Sequence, residues 1–218
     1  MLPLFWIYTF SFSIFIGGII GIARFNKINK NFYPFLFLVW IACVNELVSY
    51  ILIRTHHTTI FNSDLYVLTE SLLLILLFRN FQLFKHSGYL FYGLIAFLVI
   101  FWLTEEFFIA GPNAINVYFR VSYSFIIVLL SITMINKIIA ENKKKIFLNP
   151  LFILCAGFII FFTYKVLVYS FWIYALNSGH KLLLDMFTIM IYINLLTNLI
   201  YAIAVLWMPK KLAFTLPS

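Results

Sequence analysis

The sequence predicts an all-α polytopic membrane protein: one domain of seven transmembrane helices, with the N-terminus outside and the C-terminus in the cytoplasm. Three observations lead there. Of 218 residues, 64% are hydrophobic and only 10% charged, against about 25% charged in an ordinary globular domain. The apolar residues fall into seven runs, each near the 20 or so residues that cross about 30 Å of hydrocarbon. The positive charges gather between alternate runs, all toward one side. The strict apolar–polar alternation of a membrane barrel is missing. Loops this short leave no room for a soluble catalytic, nucleotide-binding or DNA-binding domain.

Run 1, 3–23, ends at Arg24-Phe25-Asn26-Lys27-Ile28-Asn29-Lys30. No basic segment precedes it and it is long enough to span, so it reads as a helix inserted N-terminus first and not as a cleaved signal. Its Gly17-Gly18-Ile19-Ile20-Gly21 contains a G-x-x-x-G step, which lets helix backbones approach closely, either within the bundle or at a homodimer face. Run 2, 33–53, opens on a proline and stops at Arg54-Thr55-His56-His57. Run 3, 62–84, ends at Lys85-His86-Ser87-Gly88, and run 4, 88–109, at Gly111-Pro112-Asn113. Run 5, 115–137, leads into Glu141-Asn142-Lys143-Lys144-Lys145. Run 6, 149–175, opens on Asn149-Pro150 and breaks at Asn177-Ser178-Gly179-His180, before run 7 at 184–208. Every break joins charge to Gly, Asn, Ser or Pro, the residues that punctuate helices.

Orientation follows from the fifteen Lys and Arg residues. Eleven flank loops 1, 3, 5 and the C-terminus, whereas only Arg54 and Lys181 flank loops 2, 4 and 6. This asymmetry puts the odd loops in the cytoplasm. It also explains the net charge of +8 without nucleic acid: the charge lies in short topogenic clusters, and lipids are the surrounding partner. The Lys143–Lys145 cluster also suits anionic lipid or an acidic partner. Cys43 and Cys155 fall inside runs and read as small core residues, with neither a disulfide nor a metal cage implied.

The remaining two cations, Arg120 and Lys165, lie inside runs, as do Glu46 and Glu70. A charge there costs at least about 2.5–3.5 kcal/mol on insertion scales, so each needs a reason. At 1.5 Å per residue, Glu46 and Lys165 sit about 4–5 Å outward of the span centre, Glu70 about 5–6 Å and Arg120 about 9 Å. Polar neighbours recur at helical spacing: Asn45 and Ser49 beside Glu46, Tyr66 beside Glu70, and a stripe of Asn116, Arg120, Ser124 and Ser131. Tyr169 and Trp172 accompany Lys165, and run 7 places Asn194, Thr197, Asn198 and Tyr201 together. Converging stripes would line an outward-facing polar cavity closed below by aromatics and aliphatics. Glu46, Glu70, Arg120, Lys165, Asn194 and Asn198 are thus the candidate ligand-binding residues. Because the four charges sum to zero, two buried ion pairs that lock the bundle are the plain alternative, and a proton path the third. At least one cation is expected to span the gap between Glu46 and Glu70, since two nearby carboxylates cannot both stay charged unaided.

Other chemistry finds little support. His56-His57, His180, Glu105 and Glu106 share the outer side, but metal-binding spacings such as H-x-x-x-H are missing. Glu105-Glu106 resembles the paired glutamates of CAAX-type intramembrane proteases, yet Ala110 stands where their arginine belongs. Run 7 reads Asn194-Leu195-Leu196-Thr197-Asn198 at its centre, where retinal proteins carry the Schiff-base lysine. A basic loop and proline lead to Glu46 in run 2 and to Lys165 in run 6, a weak echo of the parallel repeats of small transporters. No cofactor is expected.

The step Asn149-Pro150-Leu151-Phe152, followed by Gly157 and Phe161-Phe162, adds a family likeness. With Glu46-Leu47-Val48-Ser49-Tyr50 and the closing Trp207, Lys210 and Lys211, it resembles a family of small seven-helix bacterial membrane proteins of unassigned function. They are often encoded beside sensor kinases and response regulators. Ile153 and Lys165 depart from that pattern. The resemblance implies a sensory or accessory role in the bacterial inner membrane. On this reading a small molecule or lipid binds in the outer half, and a signalling partner sits at the cytoplasmic face. A small transporter is the second expectation and an intramembrane enzyme the third.

Overall fold

Each apolar run forms a helix. The structure, a computed structural model, describes residues 9–55, 57–85, 87–110, 114–141, 146–175 and 180–209. In chain order the helices are α1 (Ile14–Arg24), α2 (Tyr33–Arg54), α3 (Ile60–Asn80), α4 (Gly88–Thr104), α5 (Val117–Glu141), α6 (Pro150–Ala175) and α7 (His180–Trp207). A π-helical turn, Glu105–Ala110, continues α4. Six helices are long and apolar enough to cross a membrane, and α1, part of an apolar helix Thr9–Arg24, is shorter among the described residues. The start of run 1 lies outside the described residues, as do Lys143–Lys145 and Lys210. This is the architecture of a polytopic helical membrane protein.

The bundle is a ring with one helix outside it. α1 packs on α2, α2 on α3, α3 on α5, α5 on α6, α6 on α7, and α7 returns to α1. α4 lies against the outer side of α3 and α5. The sequence accounts for its exclusion: from Gly88 to Leu103 it has no charged or amide side chain to bury. Phe91, Leu98 and Trp102 face the bundle while Tyr89, Leu90, Tyr92, Phe97 and Ile100 are exposed, as suits a helix surrounded by lipid.

The glycine step is used inside the bundle. A Cβ on Gly17 would lie 3.7 Å from Val39 of α2 and 3.8 Å from the Ala202 backbone of α7, and one on Gly21 would lie 3.3 Å from Leu36. Gly18 is tightest, at 2.9 Å from Cys43 Sγ, and its carbonyl accepts a hydrogen bond from Trp40 Nε1 at 3.3 Å. α1 is thus wedged between α2 and α7 along its glycine edge.

Two cations of the basic loops also close helix ends. Arg24 donates to the carbonyls of Val205 (2.7 Å), Leu206 and Met208 (3.1 Å) at the C-terminus of α7. Lys137 donates to Phe81 (3.0 Å) and Gln82 (3.2 Å), just past α3. A cation there satisfies orphan carbonyls and opposes the helix dipole. α3 stops at Asn80, four residues before the end of run 3, because Gln82 takes φ 58°. Leu83 N–H then donates to Phe78 and Gln82 N–H to Arg79, at 3.1 and 2.8 Å. This is a Schellman ending built on glutamine where glycine is usual, so composition gave no stop signal.

Gly18→Ala should lower thermal stability by about 1–3 kcal/mol, the usual cost of overpacking. Adding Cys43→Ala should recover most of it in detergent unfolding. Equal stability of the single variant and the parent would show that α1 does not depend on this approach.

Candidate functional site: an intramembrane cavity

Four rings cross the bundle at the end bearing the odd loops. Phe35 of α2 lies 6.0 Å from Phe158 of α6 and 5.2 Å from Tyr201 of α7. Phe158 lies 5.5 Å from Tyr201 and 6.3 Å from Phe78 of α3. Above this floor is a cavity of about 360 Å³, walled by α1, α2, α3, α6 and α7. Along α7 it runs from Phe187 to Tyr201, about 21 Å at 1.5 Å per residue. Glu46, Glu70, Lys165, Asn194 and Asn198 all line it. Arg120 does not: α5 stands behind the wall, and Arg120 touches it through Tyr169, whose hydroxyl accepts from Arg120 Nη1 at 3.2 Å.

The charges pair differently from the sequence expectation. Lys165 Nζ lies 3.0 Å from Glu70 Oε2. Tyr123 donates to the same oxygen at 2.5 Å, Tyr66 donates to Oε1 at 3.3 Å, and Lys165 also meets the Tyr123 hydroxyl. The ammonium is 4.9 Å from the Tyr123 ring centroid, 5.3 Å from that of Phe161 and 5.4 Å from that of Phe162, so cation–π attraction supplements the ion pair. Arg120 pairs with Asp64 at 2.6 Å. Its Nη2 also donates to Ser63 at 2.8 Å, and Trp102 of α4 donates to the Asp64 carbonyl at 3.1 Å. Asp64 and Arg120 are only 1% and 4% exposed. Asp64, near the start of α3, is not among the charges singled out from the sequence.

The bridge expected between Glu46 and Glu70 is therefore not formed. Both cations are held on the far side of Glu70, and Glu46 joins no ion pair among the described residues. Ser11 is a polar neighbour of its carboxylate on the cavity wall. Asn45 and Ser49 do not share its face. Both accept hydrogen bonds from Asn62 Nδ2 of α3, at 2.8 and 3.1 Å, and tie α2 to α3. The stripe on α5 is likewise structural, since Ser124 and Ser131 donate to the carbonyls of Arg120 and Ile127 at 2.6 and 2.7 Å. On α7 the stripe does face the cavity. Asn198 donates to Ser13 of α1 at 2.9 Å, while Thr197 Oγ1 is buried without a hydrogen-bond partner among the described residues. Trp172 packs 5.5 Å from Phe187, where the end of α6 meets the start of α7.

Glu105 and Glu106 have a local task. The π turn presents two consecutive carboxylates to the start of α5. Glu105 accepts from the backbone N–H groups of Tyr118 (2.9 Å) and Phe119 (2.5 Å), and Glu106 accepts from Asn116 Nδ2 at 2.6 Å. Those N–H groups are orphans of the first turn, and a negative charge there opposes the positive end of the helix. The last turn of α4 caps α5.

Arg120→Met should cost about 3–5 kcal/mol, because it strands Asp64 as an unpaired buried charge. Asp64→Asn in the same chain should restore most of that loss. Glu46→Gln should leave thermal unfolding unchanged or raise it, since it removes a lone carboxylate from a low-dielectric site. A large loss from Glu46→Gln would reveal a partner that the geometry does not have.

No protein-family model matches this chain, and neither a curated protein nor a solved structure matches it.

Proposed function

We propose that this chain is a receptor-like protein of the bacterial inner membrane. On this reading it spans seven times with its N-terminus outside. It binds a small molecule or a lipid-derived amphiphile in the cavity of its outer half and acts through a partner at its cytoplasmic face. The observation that carries this is the cavity itself, about 360 Å³ in size, whose polar wall has a satisfied part and an unsatisfied part. Glu70 and Lys165 are saturated by each other and by tyrosines. Glu46 has no cation, and Thr197 Oγ1 has no hydrogen-bond partner among the described residues. A mainly apolar pocket with a few convergent polar groups is the usual form of a small-molecule site.

The fold supplies a route for a response. A ligand against Asn194 and Thr197 presses on α7, whose Tyr201 stands in the aromatic floor. The far end of the same helix is held by Arg24 in the first basic loop. A ligand shifts such an equilibrium only by its differential affinity for the two positions of α7.

A proton-coupled carrier is the second reading, favoured by the Tyr66–Glu70–Tyr123–Lys165 network in the cavity wall. It requires the floor of Phe35, Phe158 and Tyr201 to open. Proteoliposomes that bind a probe without accumulating it would favour the receptor, whereas uptake abolished by Glu70→Gln would favour the carrier.

Purified protein in maltoside micelles should show thermal-shift binding to a single-ring amphiphile from a panel of cationic, neutral and anionic probes. Asn194→Phe, which fills the cavity, should abolish that binding with little change in melting temperature. Failure of every probe class would overturn the binding reading. For sidedness, a fluorescent protein fused after Ser218 should fluoresce, and alkaline phosphatase fused there should be inactive.

A further inference from the structure

Accepting the cavity as a ligand site, we infer that its ligand is a small organic cation, an amine or quaternary ammonium carried on an apolar body. The first argument is the distribution of charge. Of the acids facing the bundle interior, Asp64 is paired with Arg120 and Glu70 with Lys165. Glu105 and Glu106 serve the start of α5. Glu46 alone projects into the cavity without a cation among the described residues, and a half-buried charge inside a membrane bundle calls for an opposite one.

The second argument is what the wall can receive. Among the described residues the cavity has one cation, Lys165, and it is engaged by Glu70 and Tyr123 and covered by aromatic rings. An anionic head would meet Glu46 and Glu70 with no free cation to receive it. An ammonium group instead finds acceptors: the Glu46 carboxylate, and on α7 the Asn194 carbonyl and Thr197 Oγ1, three residues apart on one face. Thr197 is an independent sign, being 1% exposed, on the cavity wall and without a partner among the described residues.

The third argument is the remaining lining. Phe161, Phe187, Tyr66 and Tyr169 bring aromatic rings to the wall, and such faces attract cations that have lost their water. At about 360 Å³ the space suits a single-ring body and not a diacyl lipid. The cation can come from a free amine or from the head of a lipid whose chains remain in the bilayer.

The test is a charge series of nearly constant shape in maltoside micelles: phenethylamine and benzyltrimethylammonium, neutral 2-phenylethanol, and anionic 3-phenylpropionate. Both cationic probes should raise the melting temperature. Phenethylamine should bind at least about tenfold more tightly than the neutral probe, as a hydrogen bond to a charged group is worth. Benzyltrimethylammonium, which has no N–H, should also bind more tightly than the neutral probe, through charge and cation–π attraction. Glu46→Gln should remove that preference and Glu46→Asp should retain it. Equal or tighter binding of the neutral or anionic probe overturns the cation assignment while leaving the binding reading standing. Failure of all four overturns both. Should Glu46→Gln not fold, the parent protein's charge series decides alone. A cation shift weaker in discs of phosphatidylethanolamine than in discs of phosphatidylglycerol would assign the lipid head as source, and equal shifts a free amine.

Discussion

Asp64 and Glu70 of α3 set the arrangement of this bundle. Hydrocarbon offers no water to an ionised side chain, so each carboxylate must find its cation inside the protein. The two acids are six residues apart, about 120° around the helix and about 9 Å along it, and they address different neighbours. Asp64 takes Arg120 of α5, and Glu70 takes Lys165 of α6. Tyr123 of α5 bridges the second pair by meeting both partners. These contacts specify the depth of α3 relative to α5 and α6, and a slip of one turn would separate both pairs at once. Buried pairs of this kind contribute less to net stability than to the choice of one packing over another.

The rest of the architecture accommodates that choice. Once α3, α5 and α6 are joined, α4 has no polar group that needs the interior and remains on the outside. It contributes Trp102 to the Asp64 carbonyl and two glutamates to the start of α5. α1 and α7 close the other side of the ring through the glycine edge and the Arg24 cap. What is left between the two halves is the cavity, with aromatic side chains meeting across the bundle at its floor and Phe187 packed on Tyr169 and Trp172 at its other end.

The polar groups of the bundle divide by place, into those between helices and those on the cavity wall. The polar residues that tie helices together are paired: Asn62 with Asn45 and Ser49, Asn198 with Ser13, Arg120 with Asp64, Ser63 and Tyr169. On the cavity wall, Thr197 Oγ1 has no hydrogen-bond partner and Glu46 no cation among the described residues. Asp64 Oδ2, Arg120 Nε and Asn116 Oδ1 are also unpartnered there, but behind that wall. A lock accounts for the ion pairs. The proposed site, filled from outside the chain, accounts for the cavity-facing groups, because unsatisfied buried polar groups are costly and need a reason.

The order of the helices, the all-α class, and the convergence of Glu46, Glu70, Lys165, Asn194 and Asn198 on one cavity were legible in the sequence. These follow from hydropathy and from distance along a helix, and both are one-dimensional. The aromatic closure and the close packing of the glycines were legible for the same reason. The pairing was not. Which carboxylate meets which cation depends on the azimuth of each helix and on the order of helices around the ring, and neither is written along the chain. Asp64, not singled out from the sequence, is the partner of Arg120. Glu46 looked paired and is left without a cation, and α5, with the most regular polar stripe, stands behind the cavity wall. Gln82 ended α3 where its neighbours were still apolar, because a lysine from α5 was waiting for the freed carbonyls. The chain alone determined how deep each polar group lies, through the rise of its own helix. Only the tertiary structure decided what each group faces, because that depends on helices far away in sequence.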